Sequence, residues 1–166
     1  VQRLAGSLRY DHMGVVFAPR GNPRHYGQGF WHRPFKGQVR EWSAVTAACC
    51  LAKREVFLEI GGFDESYLNG CEDIDLNLRM GQNGFFHYVV HDSIVDHVKC
   101  ASFGRLINNS RNECIFQDRW GDLILSTYVP KDRYLYAFWY LIRTLLRPIG
   151  ANPKLFLEAV KILAKG

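Results

Sequence analysis

Gly61-Gly62-Phe63-Asp64-Glu65, followed by Gly70-Cys71-Glu72-Asp73-Ile74-Asp75-Leu76 and then Arg79, is the stretch that sets the reading of this chain. The glycines mark a helix end, where a residue without a Cβ suits the left-handed cap. Three carboxylates then fall in the first turn of the next helix, where the helix dipole favours negative charge. Capping is therefore one reading of Glu72, Asp73 and Asp75. The other is chemical: the loop Tyr67-Leu68-Asn69-Gly70-Cys71 lets a ligand approach closely, and Asp73 is set between Cys71 and Ile74. A carboxylate held rigidly within reach of a bound hydroxyl is a general base. The residues alone leave both readings open.

Working upstream, residues 53–60 predict a short helix with Val56, Phe57 and Ile60 on one face. Val45 to Leu51 is a small apolar run suited to a buried strand. Arg20 to Trp42 dissolves into Gly, Pro, Arg, His and aromatic residues, the pattern of a long functional loop. Residues 1–17 read as strand. Downstream, Gly84 ends the acidic helix, Phe85 to Val90 and Ile94 to Val98 read as strands, and Ser110-Arg111-Asn112-Glu113 fits a capping box. Gly121 is expected to stop the helix it opens. Tyr134 to Leu146 forms an aromatic helical run too short to span a bilayer. Asn152-Pro153 then opens a last amphipathic helix with Phe156, Val160 and Leu163 on one side.

With 48% hydrophobic and 22% charged residues among 166, the composition is that of a folded protein of one domain's size. The net charge of +5 lies in the tail: residues 131–166 hold seven Lys and Arg against Asp132 and Glu158, and the rest balances. Five cysteines without a Cys-x-x-Cys pair suggest reduced, mostly buried thiols and a cytoplasmic setting. The start at Val1, without Met or leader, reads as a piece of something longer.

The succession Val45-Thr46-Ala47-Ala48-Cys49, Lys53-Arg54-Glu55-Val56-Phe57, Gly61-Gly62-Phe63-Asp64-Glu65, Glu72-Asp73-Ile74-Asp75-Leu76 and Arg79 resembles the second half of family-2 glycosyltransferases of the GT-A fold. Gly84 before an aromatic strand, His97, Ser102-Phe103-Gly104-Arg105 and Arg119-Trp120-Gly121 follow in the family's order. The likeness covers roughly residues 5–122, which divides the chain into an acceptor-side half (1–122) and a basic helical extension (123–166). It implies an α/β fold, a mixed sheet flanked by helices with a helical tail. It also implies transfer of a sugar from a nucleoside-diphosphate sugar to a hydroxyl of a glycan or lipid-linked acceptor, with inversion.

By position, the resemblance makes Asp73 the catalytic base and Glu72 an acceptor-binding residue that holds the acceptor or orients the base. Apart from the resemblance, Trp42 is an aromatic residue able to stack on a sugar face of the acceptor or to pin the loop to the core. Ser102 and Arg105 would lie near the diphosphate. His97 would be a ligand of Mg²⁺ or Mn²⁺, a cation that offsets charge on the leaving group. Asp75 and Arg79 would pair along the helix. The family's upstream Asp-x-Asp is absent; the one such pair here is Asp73-Ile74-Asp75. The chain alone is therefore expected to be inactive, its donor site lying in a part beyond Val1.

Two other classes of function fit parts of the sequence. A non-catalytic glycan-binding or scaffolding domain would keep the fold without the chemistry. A nucleic-acid module would use the Arg-rich aromatic loop, but residues 1–130 carry no net positive charge, so no nucleic acid is expected. The basic tail allows peripheral contact with the inner face of a membrane.

Overall fold

A computed structural model describes residues 1–98, 108–146, 148–149 and 151–165. Strands β1 (Gln2–Leu4), β2 (Tyr10–His12) and β7 (Val95–His97) form a mixed sheet in the order β2-β1-β7. In it β1 runs antiparallel to β2 and parallel to β7. Two antiparallel pairs accompany it among the described residues: β3 (Val15–Phe17) with β4 (Pro23–His25), and β5 (Val39–Trp42) with β6 (His87–Val90). The helices are α1 (Arg54–Glu59), α2 (Glu72–Gln82), α3 (Asn109–Leu123), α4 (Val129–Leu146) and α5 (Pro153–Ala164).

Strand β3 organises the interior. Side chains alternate across a strand, and Val15 and Phe17 enter one apolar cluster while Val16 enters another. The Val15 cluster gathers Leu78 of α2 and Phe116 and Trp120 of α3. The Val16 cluster gathers Tyr26, Phe30 and Trp42 with Tyr136, Trp139 and Tyr140 of α4. A strand buried on both faces explains the uninterrupted Val15-Val16-Phe17 run. Gly14 next to it is obligatory. A Cβ there would sit 2.0 Å from the Trp42 ring.

Three expectations are corrected. Val45 to Leu51 is not a buried strand: after one bridge between Val15 and Ala44 the backbone forms a 3₁₀ turn, Ala47–Cys49, and residues 48–51 are exposed. The Thr46 hydroxyl accepts from the Ala48 N–H and Asp73 takes the Ala47 N–H, so side chains claim donors that a ladder would need. Ser110 does not cap α3, which starts at Asn109 without any side-chain cap. Gly121 does not stop it either. The helix runs on through a π turn, Ile124–Tyr128, into α4. Pro130 explains the turn: it has no N–H for the carbonyl four residues back, and a π turn absorbs the mismatch. The Val129 N–H bonds instead to the Ile124 carbonyl, and the Ser126 hydroxyl donates to the Asp122 carbonyl at 2.7 Å.

The boundary drawn at residue 122 thus falls inside a continuous helix. Helix α5 folds back on α4 through Leu155, Phe156, Ala159 and Ile162, its start capped by Asn152, whose side chain accepts from the Lys154 N–H at 2.9 Å. Val160 and Leu163, expected on the packed side with Phe156, are instead exposed.

Asp132 fastens α4 to the body. Its buried carboxylate accepts from the Phe17 N–H at 2.8 Å and the Ser43 hydroxyl at 2.7 Å. Burial pushes its pKa up to about 6, against these two hydrogen bonds. The folded state therefore holds the proton more tightly than the unfolded chain. That contribution is present at low pH and is lost as pH rises through about 6. Asp132→Asn keeps an acceptor for Phe17 and removes the titration. Its stability relative to wild type should rise between about pH 4 and about pH 6, by on the order of 2 kcal/mol. Urea midpoints of both proteins across that range measure it.

Candidate active site at the start of helix α2

The acidic turn is held in place by a carboxylate that has no free face. Asp75, 0% exposed, accepts from the Arg79 Nε at 2.8 Å through one oxygen. Its other oxygen takes the Arg119 guanidinium and the Trp120 indole N–H, each at 2.8 Å, and the Tyr67 hydroxyl at 3.4 Å. Arg79 donates in turn to the carbonyls of Ile60 and Gly62, both at 2.7 Å. Arg119 also reaches Asp64 at 2.6 Å. The Ser66 N–H and Arg119 together hold the Asp64 carboxyl well below the usual carboxylate range. Asp64, Asp75, Arg79, Arg119 and Trp120 are thus one network joining the Gly61–Glu65 turn, α2 and α3. The pairing of Asp75 with Arg79 along the helix is as expected.

The loop ahead of α2 is bent to match. Asn69 and Cys71 are the non-glycine residues with positive φ among those described, at 59° and 71°. The Asn112 amide clamps both backbone groups of Leu68, at 3.2 and 3.0 Å, and fixes that bend. Left-handed backbone at two side-chain-bearing residues costs of order 1–3 kcal/mol each and persists where surrounding contacts impose it. Here it turns Glu72 and Asp73 to the front of the helix. The Cys71 thiol, pushed up to about 11 by burial and by the carboxylate of Asp73, stays protonated near neutrality.

Asp73 differs from Asp75 in what it leaves open. One oxygen accepts the Ile74 N–H at 2.9 Å and the other the Ala47 N–H at 3.1 Å, and the side chain is partly exposed. Asn77, one turn on, donates to the Asp73 carbonyl and to the Val45 carbonyl at 3.0 Å, and accepts the Val45 N–H at 3.0 Å. It pins the 45–47 segment against the carboxylate. Glu72 beside it has a buried Oε2 with no hydrogen-bond partner among the described residues. Such an oxygen is costly unless something donates to it. Asn77→Ala should lower stability by about 2 kcal/mol, measured by urea unfolding, and loosen the segment that orients Asp73.

The other expected site residues are distributed differently. Trp42 is 3% exposed, packed by Gly14 and by Tyr26 at a ring separation of 5.0 Å. Its ring serves the core and presents no face to an acceptor. His97 ends β7 with its Nδ1 3.5 Å from Asp11. Among the described residues no group of three or more His, Cys, Asp or Glu side chains is placed to hold a metal ion. These residues by themselves do not fit a divalent cation, and no step is derived through one. Ser102 and Arg105 lie outside the described residues. Cys49, Cys50, Cys71 and Cys114 are free thiols, but none is buried as expected: Cys49, Cys50 and Cys114 are exposed and Cys71 is half-buried.

A cavity of about 680 Å³ borders the same 45–53 segment, lined among others by Thr46, Cys49, Lys53, His87 and Val95. Asp73 and Glu72 are not among the residues that line it. The sequence did not reveal Asn77. A buried Asn at i+4 from Asp73 on an apolar helix face was the available signal.

Comparison with known proteins bears on this geometry. The chain is 36% identical over 109 residues, 60% of its length, to the O-antigen biosynthesis protein RfbC of Myxococcus xanthus. Over 61 residues, 37% of its length, it is 39% identical to the N-acetylglucosaminyl-diphospho-decaprenol L-rhamnosyltransferase of Mycobacterium tuberculosis. The chain is similar to part of a glycosyltransferase. The resemblance read from the sequence is borne out at that level, and the mixed α/β structure is compatible with such a fragment. The matched stretches span only 7% and 20% of these two relatives. A third, uncharacterized protein y4gI of Sinorhizobium fredii, is 34% identical over 103 residues, 58% of this chain and 11% of that protein. No family model and no solved structure matches the chain.

Proposed function

We propose that this glycosyltransferase-like chain forms the acceptor side of an inverting sugar-transfer site, with Asp73 as general base. The observation that carries the reading is the contrast between two carboxylates on one helix. Asp75 is fully buried and takes four donors (two guanidinium groups, an indole N–H and a hydroxyl), whereas Asp73 is partly exposed and each of its oxygens accepts a single backbone N–H, which leaves room for a ligand. In the assigned reaction the acceptor hydroxyl oxygen attacks the anomeric carbon of a nucleoside-diphosphate sugar. The bond from that carbon to the diphosphate oxygen breaks, and its electron pair leaves with the nucleoside diphosphate. The hydroxyl proton passes to Asp73. Attack opposite the leaving group inverts the anomeric centre.

The two backbone N–H groups fix the carboxylate's direction without neutralising it, the condition for a positioned base. The unsatisfied Glu72 oxygen accepts from a second hydroxyl of the acceptor, which orients it. Ser102 and Arg105 are proposed to face the diphosphate. A cation there would draw ligands besides His97 and Asp11, and the donor site is assigned to sequence outside this chain. The length of the relatives beyond the matched stretch supports that placement. Nuclear magnetic resonance of the product made by the full-length protein from nucleoside-diphosphate sugars and a glycan or lipid-linked acceptor tests the reading. Release of nucleoside diphosphate should require acceptor, and the new linkage should have the anomeric configuration opposite to the donor's. Retention of configuration, or donor breakdown indifferent to acceptor, would refute it.

A further inference from the structure

We propose that the α4–α5 hairpin is a docking surface for an anionic lipid bilayer. On α4 the exposed residues Tyr134, Phe138 and Leu145 recur at intervals of four and seven and share one stripe. Leu146, the last residue of α4, is 38% exposed, and Ile149 in the connection to α5 is 98% exposed. On α5 the residues turned to α4 are Leu155, Ala159 and Ile162, which leaves Leu157 and Val160 exposed on the outer side. An outer face of this kind normally carries polar residues, and scattered single exposures would need no explanation. Here the apolar side chains are clustered on one hairpin.

The charges beside them select the partner. Lys154, Lys161 and Lys165 follow one edge of α5 at intervals of seven and four. A groove of about 300 Å³ between the two helices is lined by Arg133, Tyr134, Lys161 and Lys165, with Glu158 as its acidic member. The whole net charge of the chain resides in residues 131–166. An apolar stripe bordered by lysines and an aromatic ring is the arrangement of an interfacial helix, which sinks its apolar face to the acyl boundary and keeps its cations at the phosphates. No helix among the described residues is long and apolar enough to cross a membrane, so the contact is with the surface. Asp132, Tyr136 and Trp139 fasten α4 to the body, so a bilayer seated on the hairpin is held in fixed relation to the rest of the chain.

Flotation of the full-length protein with phosphatidylcholine vesicles, with and without phosphatidylglycerol, is the test. The protein should float with the anionic vesicles and not with the neutral ones, and raised salt should weaken the binding. Leu145→Glu with Ile149→Glu should abolish flotation, and Lys161→Glu with Lys165→Glu should reduce it about tenfold or more. All four positions are exposed, so thermal unfolding should be unchanged. Equal binding to neutral vesicles, no flotation at all, or flotation that survives both double variants overturns the proposal. So does a dimer in solution that Leu145→Glu dissociates, since the face would then cover a second copy. Vesicle binding and sugar transfer are separate readouts, and either can fail alone.

Discussion

Asp75→Ala should destabilise the protein by about 3–5 kcal/mol, the cost of breaking a buried ion pair by removing one partner. The carboxylate is 0% exposed and is the meeting point of Arg79, Arg119 and Trp120. Without it the Trp120 indole N–H is stranded at 5% exposure, and two guanidinium groups face each other without their shared counter-charge. Arg79 keeps the carbonyls of Ile60 and Gly62, and Arg119 keeps Asp64, so part of the network survives. Asp75→Asn, which retains an acceptor for Trp120 and loses the charge, should cost less. Urea unfolding of the two variants orders them. Equal stability of Asp75→Ala and wild type would mean that the network contributes nothing to the fold.

Asp73→Asn should act in the opposite proportion. The amide keeps one of the two backbone N–H bonds, to Ala47 or to Ile74, and turns a donor toward the other, a loss of about 1 kcal/mol in stability. It has no basic lone pair to receive the acceptor's proton. Transfer by the full-length protein should fall by on the order of 100- to 10,000-fold. A small change in stability with a large one in rate separates a base from a cap. A residue that only caps α2 would show the reverse, a shift in unfolding midpoint with little change in turnover.

The sequence was most legible where local chemistry and tertiary packing agree. Gly61 after α1, the carboxylate-rich start of α2, the strands flanking Asp92-Ser93 and the Asn152-Pro153 helix start all carry signals that act within a few residues. The misreadings lie where distant groups intervene. Val45 to Leu51 is apolar enough for a strand, but Asp73 and Asn77, contributed by α2, take its backbone groups. Gly121 would end a solitary helix. Packed at Trp120 and Ile124, the chain gains more by continuing, and a π turn carries it past Pro130.

The site was legible in part for the same reason. The carboxylates of Glu72, Asp73 and Asp75 stand close together in sequence, and helix geometry alone turns Asp73 and Asp75, two residues apart, away from each other. Which one is buried among cations is decided by Arg119 and Trp120, some forty-five residues away. Trp42 illustrates the converse. An aromatic residue at the end of a polar loop can face out or in, and Gly14, twenty-eight residues upstream, makes the space into which it turns.

The rate of sugar transfer by the full-length protein, wild type beside Asp73→Asn, is the most direct test of the central claim. If Asp73 receives the acceptor's proton, kcat/KM of the variant falls by on the order of 100- to 10,000-fold while its unfolding curve stays close to wild type. An Asp73→Asn enzyme that transfers sugar at the wild-type rate would contradict the assignment and leave Asp73 as a cap for α2.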